Sequence, residues 1–423
     1  MRLPTVGEPG SRPLIMAHPF DDLYGSDRMF LQAVAALAGS GWSPMVALPG
    51  NGPLAAAVRD LGVPVTAVDV PVLRRAALTP TGLPVLAGRS AVAAVRLAAL
   101  IRDCGRPPVY VNTLTAPTWL TAARLAGVPG IAHVHEAEQH LARPVRRALA
   151  WPLLQARTVI ANSGVTAALL TSDVPRLARR TVVVPNGVPA LSVSPARPVL
   201  EGPVRLLVIG RLSPRKAPHV AIRVLGELRS GGLDATLTLV GDVFSGYEWY
   251  ADELRRLVAE LGLTDVVTFS GFQSDVAPFV AACDVVLLPS EGESFGNVAV
   301  EALSAERPVV ASDVQGLAEV LRHDRTGFLV PVGDVAAMAG QVRVLVDDWA
   351  RARSVAAAGR LDAAARFSPE RFRARLDEVV SGTRMVPAMR DSDTSVTAET
   401  TDRDVSADAA DTADTADPRR AAA

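Results

Sequence analysis

The sequence predicts an α/β protein with two doubly wound domains, each a parallel sheet covered by helices, followed by an acidic tail. Short apolar runs alternate with longer amphipathic patterns along most of the chain, as buried parallel strands and their crossover helices do. This rhythm occurs twice, with a proline-rich stretch between the two halves. At 423 residues, the chain is also too long for a single hydrophobic core.

Seven strands are expected in the first half and six in the second. The first set covers residues 13–18, 45–49, 64–68, 109–112, 130–135, 158–163 and 181–186. The second set covers residues 204–210, 235–241, 266–271, 285–290, 308–312 and 327–331. Helical patterns lie between them, for example at 27–38, 90–102 and 143–154. Right-handed crossovers between parallel strands then give two doubly wound sheets.

These elements divide the chain into five predicted parts. Residues 1–188 form the first domain, 189–203 a linker rich in proline, and 204–367 the second domain. Residues 368–385 form a final helix. Residues 386–423 are rich in Asp, Thr, Ala and Ser, a composition typical of a disordered tail without a catalytic role.

The formal net charge of −1 is the sum of unlike parts. Residues 1–185 hold 18 basic and 10 acidic groups, residues 186–385 hold 21 and 25, and residues 386–423 hold 4 and 9. The first domain is therefore basic and the tail acidic. Of the 43 basic residues, all but Lys216 are arginine.

Composition argues against several classes of protein. No run of 18 apolar residues lacks a charge, so no segment is expected to span a membrane. The first ten residues lack the apolar region of a secretory signal. Two cysteines, Cys104 and Cys283, make neither a disulfide framework nor a zinc site. With 4% aromatic residues, nucleic acid is an unsuitable partner, and a cytoplasmic location is the expectation.

The first strand of the second half ends in a basic turn that contains Gly210, Arg211 and Lys216. Ligands of open α/β sheets bind at the carboxyl ends of strands, and two cations there would hold a diphosphate and neutralise it as a leaving group. The alternative is a solvated basic turn. A lone lysine in a chain that otherwise uses arginine favours a need for a compact ammonium at Lys216.

A second motif, PSEGESFGNVAVEAL, follows the strand at 285–290. A helix that begins near Phe295 and Gly296 would offer free backbone N–H groups to a phosphate. Glu293 on the loop would face the reacting centre, and Glu301 could accept hydrogen bonds from a ribose. The alternative treats both acids as residues of a helix surface, with the first favoured by the helix dipole.

Two histidines, His133 and His135, precede Glu136 at the end of a first-half strand. Strand alternation places both on one side of the sheet, and the pair suggests a position in a cleft. No third metal ligand has suitable spacing, so a metal-independent site is expected.

The loop after the first strand, HPFDDLYGSDR, contains Tyr24 and Gly25 where a helix opens. A glycine at a helix start is typical of an anion cradle. The loop has neither the dinucleotide-binding nor the Walker spacing, which disfavours dehydrogenase and P-loop interpretations.

Together these motifs resemble a family 4 glycosyltransferase, a retaining enzyme of the GT-B architecture in which two Rossmann-like domains face each other across a cleft. The resemblance covers residues 13 to about 380. In the second half it includes GRLSPRK, VGD, FSGF, PSEGESFGNVAVEAL and TGFLVPVGD, and in the first half YGSDR, HVHE, ANS and VPNGV.

The resemblance implies donor-binding roles in the second domain. Arg211 and Lys216 would bind the diphosphate, Glu293 would lie beside the transferred sugar as a catalytic residue, and Glu301 would hold the ribose. Further donor contacts are expected at Gly210 and, through backbone groups, at Phe295, Gly296, Asn297 and Val298.

In the first domain, the resemblance implies acceptor binding and the rest of the site. His135 would reach the donor sugar as the second catalytic residue, with His133 as the less favoured alignment and an acceptor contact. Tyr24 and Gly25 would meet the acceptor, and Gly25 also the donor phosphate. Many members have two glycines in that loop and a glycine at the position of Ala217, which leaves the choice of sugar open. The final helix is expected to cross back to the first domain.

The implied reaction moves a hexose-type sugar from a UDP- or GDP-sugar to a hydroxyl acceptor, with retention. The acceptor would attack from the face that the diphosphate leaves, and the leaving phosphate can act as base. The product would be a cell-envelope glycolipid, a polysaccharide or another glycoconjugate. No metal and no cofactor beyond the nucleotide-diphosphate sugar are expected.

Residues 142–157 combine several arginines with Leu and Trp151. This segment could lie on an anionic membrane surface, at the inner face of the cell membrane, and meet a lipid-linked acceptor. It could equally be a core-packed helix with a basic solvent face. Both interpretations stay open.

Two other functions compete with the transferase. A UDP-sugar 2-epimerase shares the architecture, but it would need acids suited to proton abstraction at C2 and has no reason to carry both second-half motifs. A non-catalytic partner with the same fold should show eroded motifs, and here they are intact.

Overall fold

The computed structural model describes residues 12–23, 25–73, 82–136, 139, 141–243 and 246–385. Within these ranges the chain forms two parallel sheets, one of seven strands and one of six, with helices between the strands. The predicted α/β class with two doubly wound sheets is therefore confirmed. The predicted tail at 386–423 lies outside the described residues.

Seven strands of the first half form the first sheet. They are β1 (Arg12–Ala17), β2 (Trp42–Leu48), β3 (Val65–Ala67), β4 (Val109–Asn112), β5 (Gly130–Val134), β6 (Thr158–Ala161) and β7 (Thr181–Val183). The helices of this half are α1 (Gly25–Ala38), α2 (Pro53–Asp60), α3 (Gly82–Asp103), α4 (Thr118–Ala126), α5 (Arg143–Ala150) and α6 (Gly164–Asp173). The strand order is β3-β2-β1-β4-β5-β6-β7.

Six strands of the second half form the second sheet. They are β8 (Val204–Ile209), β9 (Ala235–Val240), β10 (Val267–Phe269), β11 (Val285–Leu288), β12 (Val309–Ser312) and β13 (Phe328–Val330). The helices that follow are α7 (Pro218–Ser230), α8 (Glu248–Glu260), α9 (Ala277–Ala282), α10 (Asn297–Ser304), α11 (Gln315–Val320), α12 (Val335–Asp347), α13 (Trp349–Phe367) and α14 (Pro369–Met385). The strand order is β10-β9-β8-β11-β12-β13.

Each sheet is apolar on both faces because helices cover both. Every pairing between strands is parallel, for example Ile15 beside Val109 in the first sheet and Val285 beside Leu206 in the second. Two separate apolar clusters flank each sheet. This double burial explains why the strands read as continuous apolar runs rather than as alternating patterns.

The strand orders fix where ligands can bind. The order in which strands are added to the sheet reverses between β1 and β4 in the first sheet, and between β8 and β11 in the second. Loops that leave the carboxyl ends of such a neighbouring pair diverge to opposite faces and open a crevice. The loops after these four strands are therefore the places to look for a site.

The connecting segment 189–203 is irregular but docked. Both Arg197 Nε and Nη2 donate to the buried Asp284 carboxylate at 2.8 Å, and Trp349 Nε1 donates to the Arg197 carbonyl at 2.8 Å. These bonds fix the segment to the second half of the molecule.

Helix α14 packs on the first sheet, although it follows the second in sequence. Its residues Phe372, Leu376 and Val380 are buried in the same cluster as α1. Trp42 Nε1 donates to Asp377 Oδ1 at 2.8 Å. The chain therefore passes between the two halves twice.

Helix α3 bears on the expectation that no segment spans a membrane. Within the described residues, its segment Pro84–Asp103 is long and apolar enough to cross a membrane by length and composition alone, with a mean hydropathy of 1.5. Arg89 and Arg96 interrupt its apolar run. Its second half is held in the core through Leu97, Leu100 and Ile101, while only 28% of the apolar window is buried.

Candidate active site between the two sheets

The turn after β8 is shaped by glycine. Gly210 has φ +145° and Gly241, at the end of β9, has φ +140°. A Cβ on Gly241 would stand 2.0 Å from the carbonyl oxygen of Gly210, so no other residue lets these two strand ends approach so closely. The chain then continues through Arg211 into a 3₁₀ turn at Pro214–Lys216, which places both cations at the carboxyl edge of the sheet.

The loop after β11 is held by the start of α11. Gln315 Oε1 accepts from the Glu293 backbone N–H at 2.9 Å, and the Glu293 carbonyl accepts from the Gly316 N–H at 2.9 Å. A Cβ on Gly316 would lie 2.5 Å from the backbone of Phe295. The loop conformation therefore depends on a glycine in a neighbouring element.

Helix α10 begins at Asn297, slightly later than the sequence suggests, after Gly296 with φ +106°. The side chain of Phe295 is 3% exposed and packs edge-on against Phe367, with ring centroids 5.3 Å apart. Phe295 can therefore offer a ligand only its backbone, while its ring anchors the loop. Val298 packs against the buried apolar cluster that contains Phe295 and Phe367.

Lys216 and Glu293 meet in an ion pair. The ammonium of Lys216 donates to Glu293 Oε2, and the two side chains are 22% and 13% exposed. The structure thus brings the predicted diphosphate cation next to the predicted sugar-side carboxylate.

Glu301 lies on α10, half-buried behind this pair. Burial raises its pKa to about 7, while the nearby charges of Arg28 and Lys216 act in the opposite direction. A carboxyl with this pKa exists in both forms near neutral pH.

Arg28 is a site residue that the sequence did not single out. It lies on α1 of the first half, yet its Nη2 donates to the Ser274 carbonyl of the second half at 2.9 Å, and its charge acts on Glu301. The motif YGSDR contained it, but nothing in the spacing showed that it reaches the other sheet.

The switch point of the first sheet holds a chain of buried hydrogen bonds. His18 Nε2 lies 2.8 Å from Asp27 Oδ1, and His18 Nδ1 lies 3.0 Å from Asn112 Nδ2. Asn112 Oδ1 lies 2.9 Å from His135 Nε2. We call these four residues the polar relay.

The direction of the relay follows from its chemistry. An amide nitrogen only donates, so His18 Nδ1 accepts from Asn112 and His18 Nε2 donates to the Asp27 carboxylate. The amide oxygen of Asn112 then accepts from His135 Nε2–H. This assignment of tautomers comes from the bonding pattern, and it leaves His135 Nδ1 as an acceptor.

His135 is neutral at physiological pH. Burial lowers its pKa to about 3, and the charge of His18 adds to the shift while that of Asp27 opposes it. Its Nδ1 is buried and has no hydrogen-bond partner among the described residues. A ligand hydroxyl that reached this atom would satisfy it.

The position of His133 argues against the predicted acceptor contact. Its side chain is fully buried, it hydrogen-bonds through Nδ1 to the Tyr110 hydroxyl, and its ring centroid lies 4.0 Å from that of His135. Burial holds its pKa well below the usual range. His133 therefore supports the ring of His135 from behind, because strand alternation puts both rings on one face but only His135 at the edge.

Gly25 is the first residue of α1, and a Cβ there would meet nothing within 4 Å. The space around it is open, as a ligand-facing position requires. Tyr24 lies outside the described residues.

Several contacts join the two halves near these loops. Glu319 of α11 accepts from the Gly164 N–H at 2.9 Å and from the Val165 N–H, so a carboxylate of the second half satisfies the first N–H groups of α6. Gln315 Nε2 donates to Gln139 Oε1 at 2.6 Å.

A cavity of about 470 Å³ lies between the halves beside the chain crossovers. Its lining includes Asn162, Pro185, Glu319, Arg371 and Phe295, but neither Lys216 nor Glu301. It is therefore separate from the charged pair, and we do not assign it to the donor.

The basic segment 142–157 is not one helix. Helix α5 ends at Ala150 and a 3₁₀ turn covers Trp151–Gln155, because Pro152 has no N–H to continue the helix. Arg146 donates to the buried Asp173 at 2.7 and 3.0 Å, and Arg143 lies 3.6 Å from the same carboxylate. Two of its arginines are thus neutralised within the protein.

Known families match both halves of the chain. A model described as Glycosyltransferase Family 4 matches residues 24–190, and one described as Glycosyl transferases group 1 matches residues 203–348. The two matches meet near the connecting segment.

Individual relatives agree. A D-inositol 3-phosphate glycosyltransferase of Stackebrandtia nassauensis is 32% identical over 297 residues, covering 63% of this chain and 67% of that protein. A glycogen synthase of Mycobacterium tuberculosis is 32% identical over 293 residues, with the same coverage. The structure of Anabaena Alr3699/HepE in complex with UDP and glucose has a TM-score of 0.75 at 23% identity, covering 87% of this chain and 99% of that one.

The family models, the sequence relatives and the shared two-sheet architecture lead to one conclusion. The chain belongs to glycosyltransferase family 4 and has its GT-B fold.

Proposed function

We propose that this glycosyltransferase moves a hexose-type sugar from a nucleotide-diphosphate sugar to a hydroxyl acceptor, with retention at the anomeric carbon. The observation that carries the proposal is the meeting of Lys216 and Glu293 at the switch point of the second sheet. Arg211 precedes Lys216 in the same turn, and Glu301 lies behind the pair.

The charges suit a diphosphate that leaves. Arg211 and Lys216 supply two cations from one turn, and the start of α10 supplies backbone N–H groups at the next strand. Cations aimed at the site of developing negative charge lower the barrier most when they are already in place. When the diphosphate binds, the Lys216 ammonium can exchange part of its bond to Glu293 for a bond to phosphate.

Glu293 then faces the transferred sugar. Its backbone is fixed on both sides by Gln315 and Gly316, so its carboxylate is held rather than mobile. A carboxylate beside the anomeric carbon would stabilise positive charge that develops there. In front-face transfer the leaving phosphate takes the proton of the acceptor hydroxyl, so Glu293 need not act as base.

The first sheet would hold the sugar from the other side. Burial keeps His135 neutral and the polar relay leaves its Nδ1 an acceptor, which suits a sugar hydroxyl rather than a phosphate. Arg28 reaches across to the second half. Closure of the two halves would therefore complete the site and exclude water.

The comparisons support a nucleotide-sugar donor, but they point to more than one class of acceptor. The Anabaena protein was crystallised with UDP and glucose, whereas the relatives are named for transfer to inositol 3-phosphate or for glycogen synthesis. We therefore keep a glycolipid, polysaccharide or other cell-envelope glycoconjugate as the product class.

A metal ion and a separate cofactor have no part in this proposal. Arg211 and Lys216 already balance the diphosphate charge, and the described residues contain no group of three or more His, Cys, Asp or Glu side chains suited to a metal. Turnover should survive EDTA unchanged. A rate restored only by Mg²⁺ or Mn²⁺ would overturn this part.

Cytoplasmic location is the matching proposal. Both Cys104 and Cys283 are free thiols, as a reducing compartment favours. Fractionation of the source cells tests it directly, and recovery of the protein from an extracellular fraction would contradict it.

The function is tested by mixing the full chain with UDP- and GDP-sugars and membrane extract and following free nucleotide. We expect release with at least one donor, and a product whose anomeric configuration matches the donor by NMR. Glu293→Gln should abolish release, while Glu260→Gln, an exposed acid of α8, should not. No release of nucleotide with any donor would contradict the proposal.

A further inference from the structure

Helix α3 exposes an apolar face that no other described element covers. Val85, Val92 and Val95 are 62%, 54% and 63% exposed, and Ala99 is exposed as well. At 3.6 residues per turn these positions fall within an arc of about 80°. We call these four residues the α3 stripe.

The stripe lies on an anchored helix. Leu97, Leu100 and Ile101, on the opposite side of the second half of α3, are buried in the cluster that also contains α4 residues. The apolar window of this helix is only 28% buried. A contiguous apolar stripe exposed along an anchored helix is typical of an interaction surface.

The length of α3 explains why its start, which includes Val85, is uncovered. With 22 residues it is about 33 Å long, whereas the seven residues of β2 reach only about 23 Å. A crossover helix runs opposite to the parallel strands, so α3 ends near the start of β4. Its excess length therefore projects past the carboxyl edge of the sheet.

That edge is the one that carries the site. His18, Asn112 and His135 follow or end strands at the carboxyl edge, where the two halves meet. A surface that covered the Val85 end of the stripe would thus lie beside the entrance to the cleft.

Charge identifies the partner. Arg89 and Arg96 are exposed and lie within about 40° of Val85 around the helix axis. Neither makes a hydrogen bond or ion pair within the described part of the chain. An apolar stripe bordered by unpaired arginines, on the half of the chain with 18 basic and 10 acidic groups up to residue 185, fits an anionic surface with an apolar interior.

We propose that the α3 stripe docks on an anionic lipid bilayer, with Arg89 and Arg96 among the headgroups, and so presents the cleft to a membrane. A second copy fits less well, because a two-fold contact through this face would bring like arginines together. The segment around α5 is a weaker surface, since Asp173 neutralises Arg143 and Arg146. The inference goes beyond the transfer reaction and does not depend on it.

The test is sedimentation of the full chain with vesicles of phosphatidylcholine alone or mixed with phosphatidylglycerol. We expect binding to the anionic vesicles that weakens with salt. The double variant V92S/V95S should weaken it roughly tenfold, and R89Q/R96Q about fivefold for each arginine. The matched control R147Q/W151S changes an exposed arginine and an exposed tryptophan of the α5 segment, and it should bind as the wild type does.

Four results would overturn the proposal. One is no binding to anionic vesicles, and another is unchanged binding by both α3 variants. A third is loss of binding in the α5 control alone. The fourth is a dimer in sedimentation equilibrium that V92S/V95S converts to monomer while vesicle binding persists. Because the substituted side chains are exposed, melting temperature and nucleotide binding should match the wild type, which separates this outcome from failure of the catalytic proposal.

Discussion

The two switch points are built from opposite electrostatics. In the first sheet, the polar relay of His18, Asp27, Asn112 and His135 is buried and ends in a neutral imidazole. In the second sheet, Lys216 and Glu293 form a partly exposed ion pair beside Glu301. The same topology thus gives one site suited to neutral hydroxyls and another suited to a charged diphosphate.

The difference teaches how one fold divides the labour of transfer. Burial removes charge from the histidines, because desolvation disfavours the imidazolium. Partial exposure leaves the Lys216 side chain accessible to an anion. Substitutions at one switch point should therefore have effects that differ from those of substitutions at the other.

The largest effect is expected from Lys216→Ala. Loss of a preplaced cation should lower nucleotide release about 10²- to 10³-fold, because the leaving diphosphate loses its compact ammonium. Lys216→Arg should restore little, since a planar guanidinium has a different shape and reach. The measurement is the rate of nucleotide release.

Arg256→Ala provides the matched control, because Arg256 is an exposed cation of α8 outside the site. Its rate should equal that of the wild type. A Lys216→Ala enzyme that turns over near the wild-type rate would show that the charged switch point is not where the diphosphate leaves.

The next largest effect is expected from Asn112→Ala, which cuts the relay between His18 and His135. The His135 ring would lose the bond that fixes its tautomer, and kcat should fall about 10- to 100-fold through misplacement of a sugar contact. Two buried ring nitrogens would also lose partners, each at a cost of about 1–3 kcal/mol in the free energy of unfolding.

Asn51→Ala, at an exposed asparagine of the same half, should leave kcat and the melting temperature unchanged. If Asn112→Ala lowers only the melting temperature and keeps kcat, the relay is a structural feature of the core with no role in positioning the sugar.

A smaller effect is expected from pH on nucleotide binding. The pKa of Glu301 is raised to about 7 by burial. In the proposed role as the ribose contact, only its ionised form would accept hydrogen bonds from both hydroxyls. Affinity for UDP or GDP should therefore rise about tenfold between roughly pH 6 and pH 8, as the competent fraction grows. Calorimetric titration at several pH values measures it.

Glu301→Gln should remove this rise, because an amide does not titrate. The neutral relay predicts no such dependence, since the pKa of His135 lies at about 3. A slope that persists in Glu301→Gln would assign the titration to another group.

The smallest effect is expected in the melting temperature. Burial lowers the pKa values of His133 and His135 in the folded chain. As pH falls below about 6.5, these histidines therefore bind protons in the unfolded chain but not in the folded chain. Stability from the histidines is thus present above that pH and lost on acidification. The raised pKa of Glu301 acts in the opposite sense, as its stabilising effect is present at low pH and lost as pH rises through about 7.

Two histidines outweigh one glutamate, so the melting temperature of the unliganded protein should fall between about pH 7 and pH 5, by a few degrees. Glu301→Gln should steepen that fall. Scanning calorimetry of both proteins tests it, and a wild type that is more stable at the lower pH would contradict the neutral relay.

More residues of the second switch point than of the first could be predicted from the sequence. Gly210, Arg211 and Lys216 follow one strand, and Glu293 to Glu301 follow another, so each group is a short motif with a chemical signature. The strands themselves were readable because burial on both faces makes them continuous apolar runs.

The polar relay was not readable in this way. His18, Asn112 and His135 come from the ends of three strands far apart in the sequence, and only the strand order β1-β4-β5 brings them together. Asn112 carries no charge that would single it out. Arg28 lies on the first half, but it donates a hydrogen bond to a carbonyl of the second half. Their roles depend on tertiary topology, which local patterns do not contain.

Local chemistry indicated the right group at one position and misled at another. Around Phe295 the expected ligand contacts are made by backbone groups, and the burial of its ring against Phe367 agrees with that expectation. His133 shares the strand face of His135, but the period of two cannot distinguish a residue at the edge of a sheet from one beneath it.

The most direct test of the division of labour is calorimetric binding of UDP and GDP to the wild type, Lys216→Ala and Asn112→Ala. At least one nucleotide should bind the wild type. Lys216→Ala should weaken this binding at least about tenfold, and Asn112→Ala should leave it unchanged. Equal weakening by both substitutions, or no binding of either nucleotide to the wild type, would contradict the division of labour.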